Sequence, residues 1–413
     1  MPQQLATGRA TGQESSDRRS GRWVLPHYVA AALSTRVADE GARMSLVLLA
    51  LEATGSAALG GALVAALLIP HVVAAPLVGV LIDRSRRPRW TIAAAVLVFA
   101  CCLGSVAVLL GRAPLWVVLV LLLLGGCCGP AITGGLTSQL PGLVGAERTP
   151  RAFGVDSLFY NVASMVGPAV AGIAAATVDA VTAQVVLAGC AVAGSLGIAT
   201  LPITGRARPS TGTRPGLLGG ARQILQQPTL RVLTLTSTLG QVGPGALPVV
   251  AAVLATSLHR PASSGLLLTS VAAGSLLGSL LWTWHPPAPG WAPLVTAVSM
   301  IGIAAPIALA AATGSIAVTA VLFGVSGVFI GPFGSALFTA RTHYAAEDVR
   351  TQVFTIGAGL KVSASALGAA LIGFATPLPV SAQLLLVASS PLLAGVLGVV
   401  LLVGGPRRRR SRG

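Results

Sequence analysis

Charge is scarce in this 413-residue chain: 9% of its residues are Asp, Glu, Lys or Arg, where ordinary soluble proteins carry about 25%. Lysine is almost absent, and the only one, Lys361, stands inside an apolar run. A phosphate-binding loop of the form Gly-x-x-x-x-Gly-Lys-Ser/Thr therefore has no place in the chain, which excludes ATP hydrolysis by it. The 5 cysteines (Cys101, Cys102, Cys127, Cys128 and Cys190) all fall in apolar runs, where they act as small hydrophobes. Neither a disulfide framework nor a metal site is expected. No Ser/His/Asp or metal-ligand constellation stands outside those runs, so neither an enzyme nor a cofactor is expected.

Hydrophobic residues are in excess, at 54% of the total, with a mean hydropathy of +0.83. That composition belongs to a membrane protein in contact with the lipid bilayer. The net charge of +16 comes from arginines in short loops and not from a face interleaved with aromatics, which argues against a nucleic-acid partner. The polar segment 1–23 carries Arg9, Arg18, Arg19 and Arg22. It lacks the apolar core and small-residue cleavage site of a secretory signal and is expected to remain as a tail.

Apolar runs long enough to cross about 30 Å of hydrocarbon as helix recur twelve times. They lie near 24–51, 56–82, 91–111, 114–138, 152–176, 180–203, 230–256, 263–284, 291–313, 315–338, 352–375 and 381–404. None shows the period-two alternation of a barrel wall, so the expected fold class is an all-α membrane protein. Twelve spans return both termini to one side. With that side taken as cytoplasmic, 22 basic residues fall there and only Arg112 and Arg260 on the other, while Arg36, Arg43 and Lys361 lie within spans. The bias follows the positive-inside rule and predicts a multi-pass protein of the plasma (inner) membrane with both termini cytoplasmic.

A Gly-, Pro- and Arg-rich stretch, "GRARPSTGTRPGLLGGARQILQQPTLR", separates spans six and seven. The predicted domains are therefore a tail (1–23), a six-helix bundle (24–203), a cytoplasmic linker (204–229), a second six-helix bundle (230–404) and a basic tail (405–413). The halves also repeat. "GPAITGGLTSQLPGLVGAER" begins at Gly129 and "GPFGSALFTARTHYAAEDVR" at Gly331, with 18 residues from Pro130 to Arg148 and again from Pro332 to Arg350. Gly167 and Gly172 match Gly368 and Gly373 at an offset of 201. Parallel six-helix repeats are a pattern of transporters that rock one half against the other.

Between spans two and three, "VGVLIDRSRRPRW" places Gly79, Asp83, Arg84 and Arg87 in the order of a loop signature, Gly-x-x-x-Asp-Arg-x-Gly-Arg, and so resembles the major facilitator superfamily. Arg86 replaces the signature's second glycine, and the equivalent loop of the second half, "WHPPAPGW", has no such motif. In span five, Gly167, Pro168 and Gly172 resemble the Gly-Pro-x-x-x-Gly motif of the family's antiporters. The arginine that many of its drug–proton antiporters carry in span four is missing from "LLLLGGCCGPA". The resemblance, together with "TGS" at Thr54–Ser56, implies two pseudo-symmetric bundles working as a monomer. It further implies a proton-coupled antiporter that exports a small organic molecule such as a drug, antibiotic or secondary metabolite. On this reading Asp83, Arg84 and Arg87 gate the cytoplasmic face and Gly167, Pro168 and Gly172 bend span five. Stripes of small residues, Ala163, Gly167 and Ala171 in span five and Ser270, Gly274 and Gly278 in span eight, are expected to face each other between the halves. A proton-coupled nutrient importer of the same fold, or a membrane sensor or scaffold, are the competing readings.

Ionisable side chains at membrane depth are costly, which makes each a functional candidate. Arg36, Asp39, Glu40 and Arg43 share one face of span one at i, i+3, i+4 and i+7, either as a self-neutralising network or as the wall of a wet cavity with Asp39 and Glu40 as proton carriers. Lys361 corresponds through the offset of 201 to Tyr160, one turn from Asp156, which predicts a Lys361–Asp156 pair across the halves. Asp39, Glu40, Asp156 and Lys361 are thus the candidates for proton or ion coupling. His71 either carries protons or makes a single helix-to-helix hydrogen bond. Asn161 and Gln241 either contact substrate or bridge helices, and Arg36, Arg43 and Tyr160 are further cavity candidates. The six charges placed in spans cancel, so the sign of the cargo stays open.

Overall fold

The computed structural model describes residues 4–204, 216, 218–258, 263–284, 288–375 and 378–404. Linker residues 205–215 and 217, the basic tail 405–413, Arg260 and the side chains of 4–22 lie outside the described residues. Within them all regular structure is helical.

The first span belongs to a helix running Gln4–Thr54. Ser56 then caps the second span, its hydroxyl accepting from Leu59 N at 3.2 Å. That span comes in two pieces, Ala57–Leu68 and Pro70–Arg84, because Pro70 has no N–H to continue the ladder. The third is Pro88–Leu109. The fourth, Leu115–Pro130, passes through a π-turn at Ala131–Gly135. Thr149–Thr177 and Ala180–Thr200 complete the first half. The N-terminus of the sixth span is capped twice by acids: Thr182 N donates to Asp179 Oδ1 at 2.6 Å and Ala180 N to Glu52 Oε2 at 2.7 Å. A linker helix, Gly219–Gln226, leads into the second half. Its spans are Pro228–Leu239 with Val242–Ser257, Ser263–Trp284, Ala292–Ala310, Ile316–Val328 with Ile330–Tyr344, Arg350–Phe374, and Val380–Val403.

Eleven of the described helices are long and apolar enough to cross a membrane. The twelfth is the first, where Arg36, Asp39, Glu40 and Arg43 dilute the apolar composition; it packs between spans five and six.

Each half has its own core. Tyr28, Leu46, Phe99 and Phe153 are fully buried in the first, and Val250 and Phe323 in the second. The repeat shows in how they pack. A methyl on Gly167 would meet Val37 O and Gly41 N of span one at 2.7 Å each, and one on Gly368 would collide with the Val242 backbone of span seven. Spans one with five and seven with eleven therefore touch backbone to backbone, through matched glycines.

That contact corrects the expectation for the small-residue stripes. Ala163 and Ala171 cluster with Val37 and Leu187 of the same half, and Gly274 and Gly278 lie on the backbone of Gly324, Gly327 and Val328 in span ten. Both stripes join neighbours within one half. The halves themselves meet along two seams, span two with eleven and span five with eight, the latter through Gly154 against Thr283 and through Asn161 Nδ2 donating to Ser279 Oγ at 3.1 Å.

Candidate functional site

Asp83 ends span two and meets the start of span eleven. Its carboxylate accepts from Thr351 N at 3.3 Å and Gln352 N at 3.1 Å, where the helix dipole favours a negative charge. Gly79, one turn earlier, lets the helices close, since a methyl there would stand 2.6 Å from Gln352 Cα. Thr355 Oγ1 donates to Ala75 O at 2.7 Å, and Ser138 and Thr351 share a hydrogen bond of 3.0 Å. Farther in, Phe153, Phe338 and Phe354 pack ring on ring with centroids 5.8–6.1 Å apart, Phe354 stacked on the other two and those two tilted against each other. Contributed by spans five, ten and eleven, they seal the two halves together at this end.

Beyond the aromatic plug lies a cavity of about 400 Å³ between the halves, within the size range of small-molecule sites. Glu40, Arg43, Thr137, Tyr160 and Asn161 line it from the first half, and Gln241, Arg341 and Lys361 from the second. The remaining wall is largely apolar, with Met300, Ile303, Ile330 and Phe333. Six sequence-predicted residues thus meet in one place: Glu40, Arg43, Tyr160, Asn161, Gln241 and Lys361.

The span-one charges divide into two groups. Arg43 pairs with Glu40 at 2.9 Å and with Asp39 at 3.4 Å, and this group faces the cavity, with Arg43 31% exposed and Asp39 sunk behind it at 3%. Arg36 turns the other way. It pairs with Asp156 at 2.8 Å and donates to Thr137 Oγ1 at 2.9 Å, while Asp156 also accepts from Tyr28 OH at 2.7 Å and Thr137 Oγ1 at 3.0 Å. Arg36 and Asp156 are both 1% exposed and neither lines the cavity; Thr137, bonded to both, links them to its wall.

The predicted Lys361–Asp156 pair is therefore absent: the carboxylate is already saturated by Arg36, Tyr28 and Thr137. Lys361 instead sits over the ring of Phe333, 5.2 Å from its centroid. Of the four span-one charges, Arg36 therefore leaves the group, while Asp39, Glu40 and Arg43 stay together on the cavity side. His71 is buried with both ring nitrogens lacking a hydrogen-bond partner. Its ring fills the space in front of Gly129, where any Cβ would overlap it. Pro168 lies inside an unbroken helix, and nothing lies within 4 Å of where a Gly172 side chain would begin.

Sequence reasoning missed Arg341. Counted as a loop arginine, it lies in span ten, 1% exposed, and donates to Ser237 Oγ at 3.2 Å. Its Nε has no hydrogen-bond partner, and no acidic side chain pairs with it among the described residues. The repeat held the missing signal: matching Pro130 to Pro332 sets Arg341 against Gln139, which is itself buried between the halves.

A family model, Major Facilitator Superfamily, matches residues 29–369. An uncharacterized MFS-type transporter of Sinorhizobium fredii is 28% identical over 385 residues, covering 89% of this chain and 92% of that protein. Among solved structures, the E. coli fucose:proton symporter aligns with a TM-score of 0.73 at 12% identity over 93% of this chain and 99% of its own. The human organic anion transporter MFSD10 aligns with 0.67 at 14% over 93% and 99%. A bacterial homologue of the iron transporter ferroportin, in an outward-facing state, gives 0.70 at 16% over 92% and 98%. These structural likenesses establish the shared fold. A family match over most of the chain, on two six-helix halves that enclose a cavity, makes this protein a member of the Major Facilitator Superfamily and a multi-pass secondary transporter.

Proposed function

We propose that this transporter carries a small organic molecule through the central cavity by alternating access, coupled to protons at Glu40. The observation that carries the reading is the Glu40–Arg43 pair on the cavity wall. Protonation of Glu40 breaks the pair and changes the charge presented to cargo, while Asp39 behind it stays paired with Arg43. The arginine bias supports a cytoplasmic Asp83 end, and on that reading the conformation described is the one closed to the cytoplasm. Opening on that side requires Asp83 to leave the N-terminus of span eleven and the three phenylalanines to part.

Export in exchange for protons is the first reading, supported by the resemblance of Gly167, Pro168 and Gly172 to the antiporter motif. Movement of cargo together with protons is the second. One observation favours it: Arg341 and Lys361 leave the cavity with surplus positive charge. Flux into inside-out vesicles separates the two, with a panel of antibiotics, dyes and organic acids as probes. Antiport loads vesicles whose lumen is acidified. Co-movement empties pre-loaded ones under the same gradient, and flux that ignores the gradient would refute proton coupling altogether.

The latch has its own test. Asp83→Asn exchanges a charge for a dipole at a helix N-terminus, a loss of about 1 kcal/mol, or roughly fivefold in the closed-to-open ratio. Cycling is expected to slow with cargo affinity nearly intact. A large affinity loss with normal cycling would remove Asp83 from gating.

A further inference from the structure

The two halves differ where they ought to match. At the offset relating Gly167 to Gly368, Asp156 corresponds to Gly357 and Arg36 to Ser237. The first half buries an acid and a base there; the second has neither. Arg341 occupies the vacated space, with its guanidinium against Gly357 so closely that any Cβ would displace it, and with Ser237 Oγ as its partner. The second half thus places a cation in this space without the counter-charge that the first half has there. Lys361 adds a second cation to the same cavity, and no acidic side chain pairs with it among the described residues. Arg43 is paired with Glu40 and Asp39, so with Arg341 and Lys361 counted the group keeps a net charge of +1, and these two cations stand without an acidic partner in a site walled by Phe333, Phe338 and Phe354. Uncompensated charge in such surroundings is costly unless a partner arrives.

We propose that the cargo is an organic anion whose acidic group (carboxylate, sulfonate or phosphate monoester) is held between Arg341 and Lys361, with its apolar body against the phenylalanines. The inference rests on the reading of this cavity as the cargo site. Arg341 is preorganised for the role, since Ser237 and Gly357 fix the plane of its fork, which matches a two-oxygen anion.

The test is thermal unfolding of the purified full chain in a zwitterionic detergent. Matched probes are added at millimolar concentration: aromatic and aliphatic carboxylates, sulfonates and phosphate monoesters, their amides or alcohols, and amines of the same size. Only the anions are expected to raise the melting temperature. Arg341→Gln and Lys361→Gln are each expected to weaken their binding by about ten- to a hundredfold, the scale of one charge-assisted contact. Gly357→Asp guards against a mere folding defect. It supplies the carboxylate that the first half has at this position; the flexible end of Arg341 shifts to admit the new Cβ and pairs with the acid, so the ligand-free protein is expected to melt near the wild-type temperature while its response to anions is lost. Stabilisation by neutral or cationic probes, an undiminished anion response in the variants, or no response to any anion would overturn the proposal. A response to phosphatidylglycerol alone would overturn it too, by giving the charges to lipid. Unfolding reports binding and not movement, so this assignment can fail while proton-coupled flux survives, and the reverse.

Discussion

Asp156→Ala is expected to cost about 3–5 kcal/mol, because it strands the Arg36 guanidinium where no water replaces the lost carboxylate. Arg36 bonds both Asp156 oxygens and Thr137, and Tyr28 would lose its acceptor in the same step. The double variant Arg36→Met, Asp156→Leu is expected to recover most of the loss, since apolar residues of similar volume replace a buried pair at little cost. Melting temperature in detergent reads both. Near-additive losses in the double variant would show that the two side chains act separately. A wild-type melting temperature for Asp156→Ala would show that Arg36 has found water from the cavity.

Glu40→Gln is expected to abolish gradient-driven flux, and its effect on binding decides how proton and cargo are linked. Linkage is reciprocal: if an anionic cargo favours protonation of Glu40, protonation favours the cargo by the same factor. Glutamine mimics the protonated acid. A unit charge about 10 Å away at an effective dielectric constant of about 20 is worth about 1.7 kcal/mol, or roughly ten- to twentyfold in affinity. With an anionic cargo the variant is expected to bind that much more tightly, with affinity no longer rising as pH falls, while it transports without regard to the gradient. Weaker binding in the variant would mean that proton and cargo exclude one another, as exchange requires. Retained gradient-driven flux would move the coupling site away from Glu40.

The spans were legible in the sequence because lipid leaves few options: a run of apolar residues must become a helix with all its backbone hydrogen bonds internal. The meeting of Asp83 with a helix N-terminus was legible too, as an acid at the end of a span beside a bundle of helix ends. What the sequence concealed was the direction of side chains. Arg36 has Asp39 and Glu40 within one turn, and nothing in the spacing says that it turns its back on them to reach span five. Once it does, Asp156 is taken and Lys361 is left without the partner that the repeat suggested. Arg341 was hidden for a different reason. The apolar run thins out at "ARTHY", which reads as the start of a loop, yet here the helix continues against protein instead of lipid, and polar residues are allowed. The small-residue stripes misled because periodicity shows that a helix has a close neighbour without saying which one.

The position of Lys361 has a practical consequence for labelling chemistry. Apart from the α-amino terminus it is the chain's single primary amine, and it stands on the cavity wall above Phe333. A small amine-reactive reagent would therefore tag the transport path at one known atom, Nζ. Added from one face of the membrane at a time, it would report which end of the cavity is open, and bound cargo would shield it. The scarcity of lysine turns an ordinary acylating reagent into a site-specific probe of the alternating cycle.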